Sequence, residues 1–270
     1  MTGAIPARLG VLDWGIGGLD AFRRLRARFP DVAMAYASDS GFTPYGRVPA
    51  QELRARVELM ARRLGATHLV IACNAASTVL EDGPLELPTL GVIGPGVAAA
   101  LATPYARFGL IGGERTIRSG AWERPLSAAG REVVARIAQP LSAHVEAGRL
   151  SGPELDRDLD EILAPFKGAA PPEALILACT HYPALADALR RHLPGVALID
   201  PVPALVETAA TQWALDDDAP RPRATAPPVD LWTTGSADAM VRAAALAFQF
   251  PLADVRERPV HAAPGVGSPG

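Results

Sequence analysis

The chain has 270 residues, 49% of them hydrophobic and 20% charged, which is ordinary for a globular protein and enough for one large core or two small lobes. A formal charge of −3 creates no field that would favour nucleic acid or an anionic membrane. The opening MTGAIPARLGVL lacks the ~7–15-residue apolar run of a signal peptide, and no uncharged apolar stretch reaches the ~18 residues that span a bilayer, so a cytoplasmic protein is expected.

In chain order, RLGVLD (8–13) is an apolar run before glycines and reads as a strand. GLDAFRRLRARF (18–29) puts Leu19, Phe22, Leu25 and Phe29 at helical spacing with arginines opposite. VAMAYASD (32–39) reads as a strand, and PAQELRARVELMARRLG (49–65) as a helix from Pro49 to Gly65. HLVIAC (68–73) and TLGVIGP (89–95) are the next strands. The same order then returns. RFGLIGG (107–113), REVVARIAQP (131–140), ALILAC (174–179) and VALIDP (196–201) read as strands, with a helix at 151–166 capped by Ser151. Helices at 202–215 and 237–248 flank a strand at 229–235, with a proline-rich loop at 216–228.

Gly10 and Gly109 stand 99 residues apart, and both Cys73 to Cys179 and Pro95 to Pro201 span 106. That near-constant offset predicts a duplicated α/β unit, too long in period for a solenoid. The expected fold is α/β, with two pseudo-symmetric lobes. Each lobe is a mostly parallel sheet flanked by helices, and the active site lies between them. Residues 1–100 plus 205–256 would form the first lobe, 101–204 the second, and 257–270 a flexible tail.

The only two cysteines, Cys73 and Cys179, end equivalent strands. Ligands of open α/β sheets bind outside the carboxyl ends of the strands. The small polar residues Asn74, Ser77 and Thr180 could cap helices there, and a helix N-terminus would lower a thiol's pKa. Two thiols facing one carbon from opposite sides could remove a proton from one face and deliver one to the other. Alternatively, both are small buried hydrophobes. Their spacing fits no zinc site.

Seven pieces in order carry a resemblance. GVLDWGIGGL (10–19), DSGFTPYG (39–46), CNAAS (73–77), VIGPG (92–96), ERTIRS (114–119), PLSAHVEAG (140–148) and ACTHYP (178–183) resemble motifs of glutamate racemases in the cofactor-independent aspartate/glutamate racemase superfamily. The resemblance implies interconversion of L- and D-glutamate for peptidoglycan, with no cofactor, no metal, no nucleic-acid or membrane partner, and room for a homodimer. It implies that Cys73 and Cys179 are the two acid/bases. Asp13 and His181 would assist the thiols and hold the substrate ammonium, and Glu146 would be a further helper. The backbone of Pro44, Tyr45 and Gly46 would meet one carboxylate, and Asn74 and Thr180 the other. Trp14, Ala75 and Thr116 would also line the pocket. GIGG is no dinucleotide fingerprint, because its last position is Asp20.

Structural alternatives stand beside these roles. Asp13 could be a turn acid, His181 a core histidine, Tyr45 part of a surface turn and Glu146 a solvated helix residue. His68, His144, His192 and His261 show no partner pattern. The chain also departs from the family: Trp14 replaces a serine, Ala75 a threonine and Gly113 a threonine. Each lost hydroxyl bond to a charged ligand is worth about 1.5–3 kcal/mol. A racemase or epimerase for a different amino acid or related acid is therefore the second reading, and a non-catalytic binding protein the third.

Overall fold

The computed structural model describes residues 7–168, 170–213 and 228–260. Two sheets form. The first has six strands in the order β10-β9-β2-β1-β3-β4, from β1 (Arg8–Asp13), β2 (Ala33–Ser38), β3 (His68–Ile71), β4 (Thr89–Gly91), β9 (Val229–Thr233) and β10 (Arg256–Glu257). The second has four, β6-β5-β7-β8, from β5 (Arg107–Gly112), β6 (Glu132–Ile137), β7 (Ala174–Ala178) and β8 (Ala197–Ile199). All strand pairs run parallel. The orders 2-1-3-4 and 6-5-7-8 are the same order, so the repeat seen in the offsets is a repeat of topology.

The helices follow from the same local chemistry. They are α1 (Leu19–Arg28), α2 (Ala50–Leu64), α3 (Asn74–Ser77), α4 (Ile93–Leu101), α5 (Glu114–Ser119), α6 (Glu123–Ala128), α7 (Pro140–Glu146), α8 (Pro153–Leu163), α9 (Ala186–His192), α10 (Val202–Trp213) and α11 (Ala237–Phe248). Gly65 ends α2 at φ 58, a left-handed cap that a β-carbon would resist. Leu19, Phe22 and Leu25 of α1 are buried as their spacing predicts, while Arg23 and Arg24 are exposed and paired with Asp20, and Arg26 donates to Val32 O.

Several expectations need correction. The strand expected at 89–95 stops at Gly91, because Pro95 sits in the first turn of α4, where its missing N–H has no helical partner to lose. The strand expected to Pro140 stops at Ile137, and Pro140 opens α7 for the same reason. Ser151 is not the cap of α8. Gly152, at φ 114, takes that place without a side-chain bond. The expected tail begins inside the sheet, where Glu257 is in β10, Arg258 N–H bonds Thr233 O and the Val260 carbonyl accepts from Arg56. The rest of that tail, 261–270, the last two residues of the helix expected at 202–215, and all of the proline-rich loop expected at 216–228 except Pro228 lie outside the described residues.

Candidate active site

The site gathers at the carboxyl ends of matching strands. Asp13 ends β1, and Cys73 follows β3 in extended conformation and leads into α3. Cys179 follows β7, and Thr180 and His181 lead into a 3-10 turn at Tyr182–Leu185. Both cysteines line one cavity of about 750 Å³. The same walls carry Asp13, Trp14, Pro44, Tyr45, Gly46, Asn74, Ala75, Thr116, Glu146, Thr180 and His181, so each candidate residue named from the sequence reaches this cavity.

The lobes touch through side chains at this place. Thr180 Oγ1 donates to Asp13 Oδ2 at 3.2 Å, and the Ile16 N–H donates to Glu146 Oε1 at 3.2 Å. Trp122 Nε1 donates to Asn74 Oδ1 at 3.1 Å. The glycines of GIGG permit this approach. A β-carbon on Gly17 would lie 2.7 Å from Thr180 Cβ, and one on Gly18 2.7 Å from Asp13 Cβ. Gly15, against Glu146 and His181, and Gly17 thus serve close packing across the lobes, whereas Gly18 packs against Asp13 and Ala72 of its own lobe.

The surroundings of the two thiols differ. On the first side, Asp13 is 1% exposed, and its carboxylate accepts the N–H groups of Trp14 and Gly18 and bonds the Cys73 thiol. Burial raises the Asp13 pKa against the opposing charge of His181. Burial, and then the negative Asp13, pushes the Cys73 thiol well above its ordinary value. The lowering expected from a helix start is overruled, since α3 offers only four residues and one backbone bond, from Ala76. Nor does Asn74, Ser77 or Thr180 cap a helix. Asn74 lies within α3, Ser77 Oγ bonds Ile71 O and Thr180 serves Asp13.

On the second side, His181 Nδ1 lies 3.6 Å from Cys179 Sγ, and its Nε2 is 2.6 Å from Glu146 Oε1. Burial works against a charged ring, but the bonds to Cys179 and Glu146 outweigh it and raise the His181 pKa well above the usual range. Glu146 moves the other way. Burial would raise it, and His181 holds it below its ordinary value. Glu146 is therefore no freely solvated helix residue, and His181 is no isolated core histidine. The remaining described histidines have local partners away from the cavity: His144 with Asp158, His192 with Asp156 and Asp160, and His68 with Thr67.

The far wall is the 3-10 turn at Tyr45–Arg47. The N–H groups of Tyr45 and Gly46 precede the turn's first bond, Arg47 N–H to Pro44 O, and so have no partner within it. Tyr45 is held from behind, its hydroxyl 2.8 Å from Asp39 Oδ2. Asp39 is 0% exposed and takes two bonds from Arg56, at 2.7 and 2.8 Å. Arg115 of the second lobe donates to the Tyr45 and Val48 carbonyls. Trp14 turns its indole N–H to Phe42 O at 3.0 Å, leaving the ring on the cavity wall. Arg47, Gln139, Ser142 and Trp122 were not singled out from sequence. Arg47 could have been found by its place beside Pro-Tyr-Gly, whereas Gln139 and Ser142 come from an expected strand and from a motif read only for Glu146.

Among the described residues, no group of three or more His, Cys, Asp and Glu side chains is placed to hold a metal, and no helix is long and apolar enough to cross a membrane.

Comparison with known proteins agrees with this geometry. The Asp/Glu/hydantoin racemase family model matches residues 26–209. A glutamate racemase of Limosilactobacillus reuteri is 36% identical over 202 residues, covering 72% of this chain and 75% of that protein. The structure of Thermus thermophilus glutamate racemase superposes with a TM-score of 0.77 at 31% identity, covering 93% of this chain and 96% of the other. The Francisella tularensis enzyme, solved with D-glutamate, superposes at 0.82 with 24% identity and 93% and 97% coverage, a likeness of fold. The chain belongs to the Asp/Glu/hydantoin racemase family, among its glutamate racemases, and is an isomerase.

Proposed function

We propose that this racemase interconverts L- and D-glutamate by two-thiol proton transfer, with the substrate held between one lobe of residues 1–100 plus 205–260, extended past 256 by β10, and a second of 101–204. The observation that carries it is the pair of thiols, from equivalent strands, on one cavity with a different proton partner beside each. In one direction, Cys179 as thiolate takes the α-proton while the Cys73 thiol gives its proton to the opposite face. The C–H electron pair stays on carbon between the two transfers, the net charge is unchanged, and the negative charge has moved from Cys179 to Cys73, which exchanges the thiol roles. His181, carrying a proton, offers positive charge to the Cys179 sulfur, and Glu146 orients the ring. Asp13 accepts the Cys73 proton's hydrogen bond and faces the substrate ammonium. Tyr45 and Gly46 N–H groups meet one carboxylate, with Thr116 beside them. Asn74 and Thr180 meet the other, and the buried Asn74 Nδ2 has no partner among the described residues. In the cell, the reaction would supply D-glutamate for peptidoglycan in the cytoplasm.

A second reading keeps the chemistry and changes the substrate to another amino acid or related acid. Trp14, Ala75 and Gly113, which replace small hydroxyls on the cavity wall, favour it. One experiment separates the two. Single-enantiomer amino acids are incubated with the protein in heavy water, and deuterium at the α-carbon is measured. Glutamate labelling with inversion supports the first reading. Labelling of a different acid in its place transfers the proposal to that acid, and no labelling of any acid overturns both.

A further inference from the structure

Arg47 is the only lysine or arginine among the described residues lining the cavity, and it stands directly after Gly46. It is exposed, and its guanidinium makes no hydrogen bond or ion pair to any described residue. By contrast, Arg54, Arg56 and Arg115 all spend their guanidinium groups on carbonyls or carboxylates. Across the opening, Gln139 reaches over from the second lobe. Its Oε1 would be 3.7 Å from a β-carbon on Gly46 and 3.1 Å from one on Gly113. That oxygen already accepts the Glu114 N–H at 3.2 Å, which leaves the amide's NH₂ end without a described partner. The outer wall thus offers the Tyr45 and Gly46 N–H groups, a side-chain amide NH₂ and one guanidinium, next to Gly113, where no side chain can contribute a hydroxyl. A wall of donors beside one unpaired cation suits an anion, and a carboxylate can accept a guanidinium in two parallel bonds.

Resting on the glutamate reading, we propose that Arg47, assisted by Gln139, reads the distal carboxylate of the substrate and makes this racemase selective for an acidic side chain. These two residues take over from the hydroxyls missing at Ala75 and Gly113. Because Arg47 touches the far end of the substrate and not the reacting carbon, it acts on binding more than on turnover.

The test compares racemisation of glutamate and of glutamine, its neutral isostere, by the unmodified protein and by Arg47→Ala, Arg47→Lys and Gln139→Ala. For Arg47→Ala, the KM for glutamate should rise about tenfold or more, with kcat within about threefold, and the glutamate-to-glutamine ratio of kcat/KM should fall by a similar factor. Arg47→Lys, which keeps the charge, should recover most of the loss, and Gln139→Ala should raise KM about threefold. Arg47 is exposed and unbonded, so its variants fold, which circular dichroism checks. A glutamate KM within twofold of the unmodified value in Arg47→Ala, or an unchanged ratio, overturns the inference alone. No glutamate turnover by the unmodified protein overturns the glutamate reading on which the inference rests.

Discussion

Cys73 and Cys179 leave equivalent strands, β3 and β7, in sheets of the same strand order, but they meet different partners. Cys73 is buried against a carboxylate, and its proton is held tightly. Cys179 is less buried and faces an imidazole that a second carboxylate keeps charged. Duplication thus reproduces the frame that aims a sulfur at the cavity. The acidic residues on the two sides come from unlike positions, Asp13 from β1 beside Cys73 and Glu146 from α7, which holds the His181 ring beside Cys179. A reversible reaction needs matched positions on the two faces of a carbon, but it does not need matched surroundings.

The strongest way to break this comparison is to remove one thiol at a time. Cys73→Ala and Cys179→Ala should each lower racemisation by about 10³-fold or more, since general acid–base groups contribute ~10²–10⁴. Each variant should still exchange the α-proton of one enantiomer in heavy water, and the two variants should choose opposite enantiomers. Proton NMR of recovered glutamate measures this, and the same choice by both would end the idea of opposite faces.

The first side also rests on a buried charge. Arg56→Ala leaves Asp39, 0% exposed, without its guanidinium partner and should cost about 3–5 kcal/mol. Denaturant titration reads this directly, and a loss below about 1 kcal/mol would mean that the carboxylate finds other partners.

The second side should instead show itself in pH dependence. The raised His181 pKa contributes stability that is full below the unfolded value near 6.5 and is lost as pH rises through the folded value. The lowered Glu146 pKa contributes stability that is full above 4.5 and is lost as pH falls through its folded value. Glu146→Gln should therefore cost about 1–3 kcal/mol at roughly pH 5–6, and less towards either extreme. Its activity profile should shift to lower pH as His181 loses its proton more readily. Thermal melts and kcat/KM across pH check both effects.

The smallest effect sharpens the pocket rather than the thiols. Trp14→Ser with Ala75→Thr returns two hydroxyls to the wall and should lower the KM for glutamate severalfold, with kcat little changed. A higher KM would mean that the indole, anchored to Phe42 O, belongs to a different substrate's fit.

Much of the fold was legible because hydrophobic period and punctuation are local. β1, β2, β5, β7 and α2 fall where the patterns put them, and the repeat offset gave the division into two mostly parallel sheets, though not the strand order within them. Short helices were not legible. Residues 74–77, 114–119, 123–128 and 140–146 are too short to show an apolar stripe, and three of the four follow strand ends that read as strand continuing.

By itself, the chain determined which residues are candidates for the chemistry. Two cysteines at one repeated position, and motifs around them, are properties of residue order. Tertiary structure alone decided what those residues are to each other. The Asp13–Thr180 and Ile16–Glu146 contacts join positions 167 and 130 residues apart. The direction of the Cys73, His181 and Glu146 shifts follows from burial and from charges brought near by folding, and no local pattern records either.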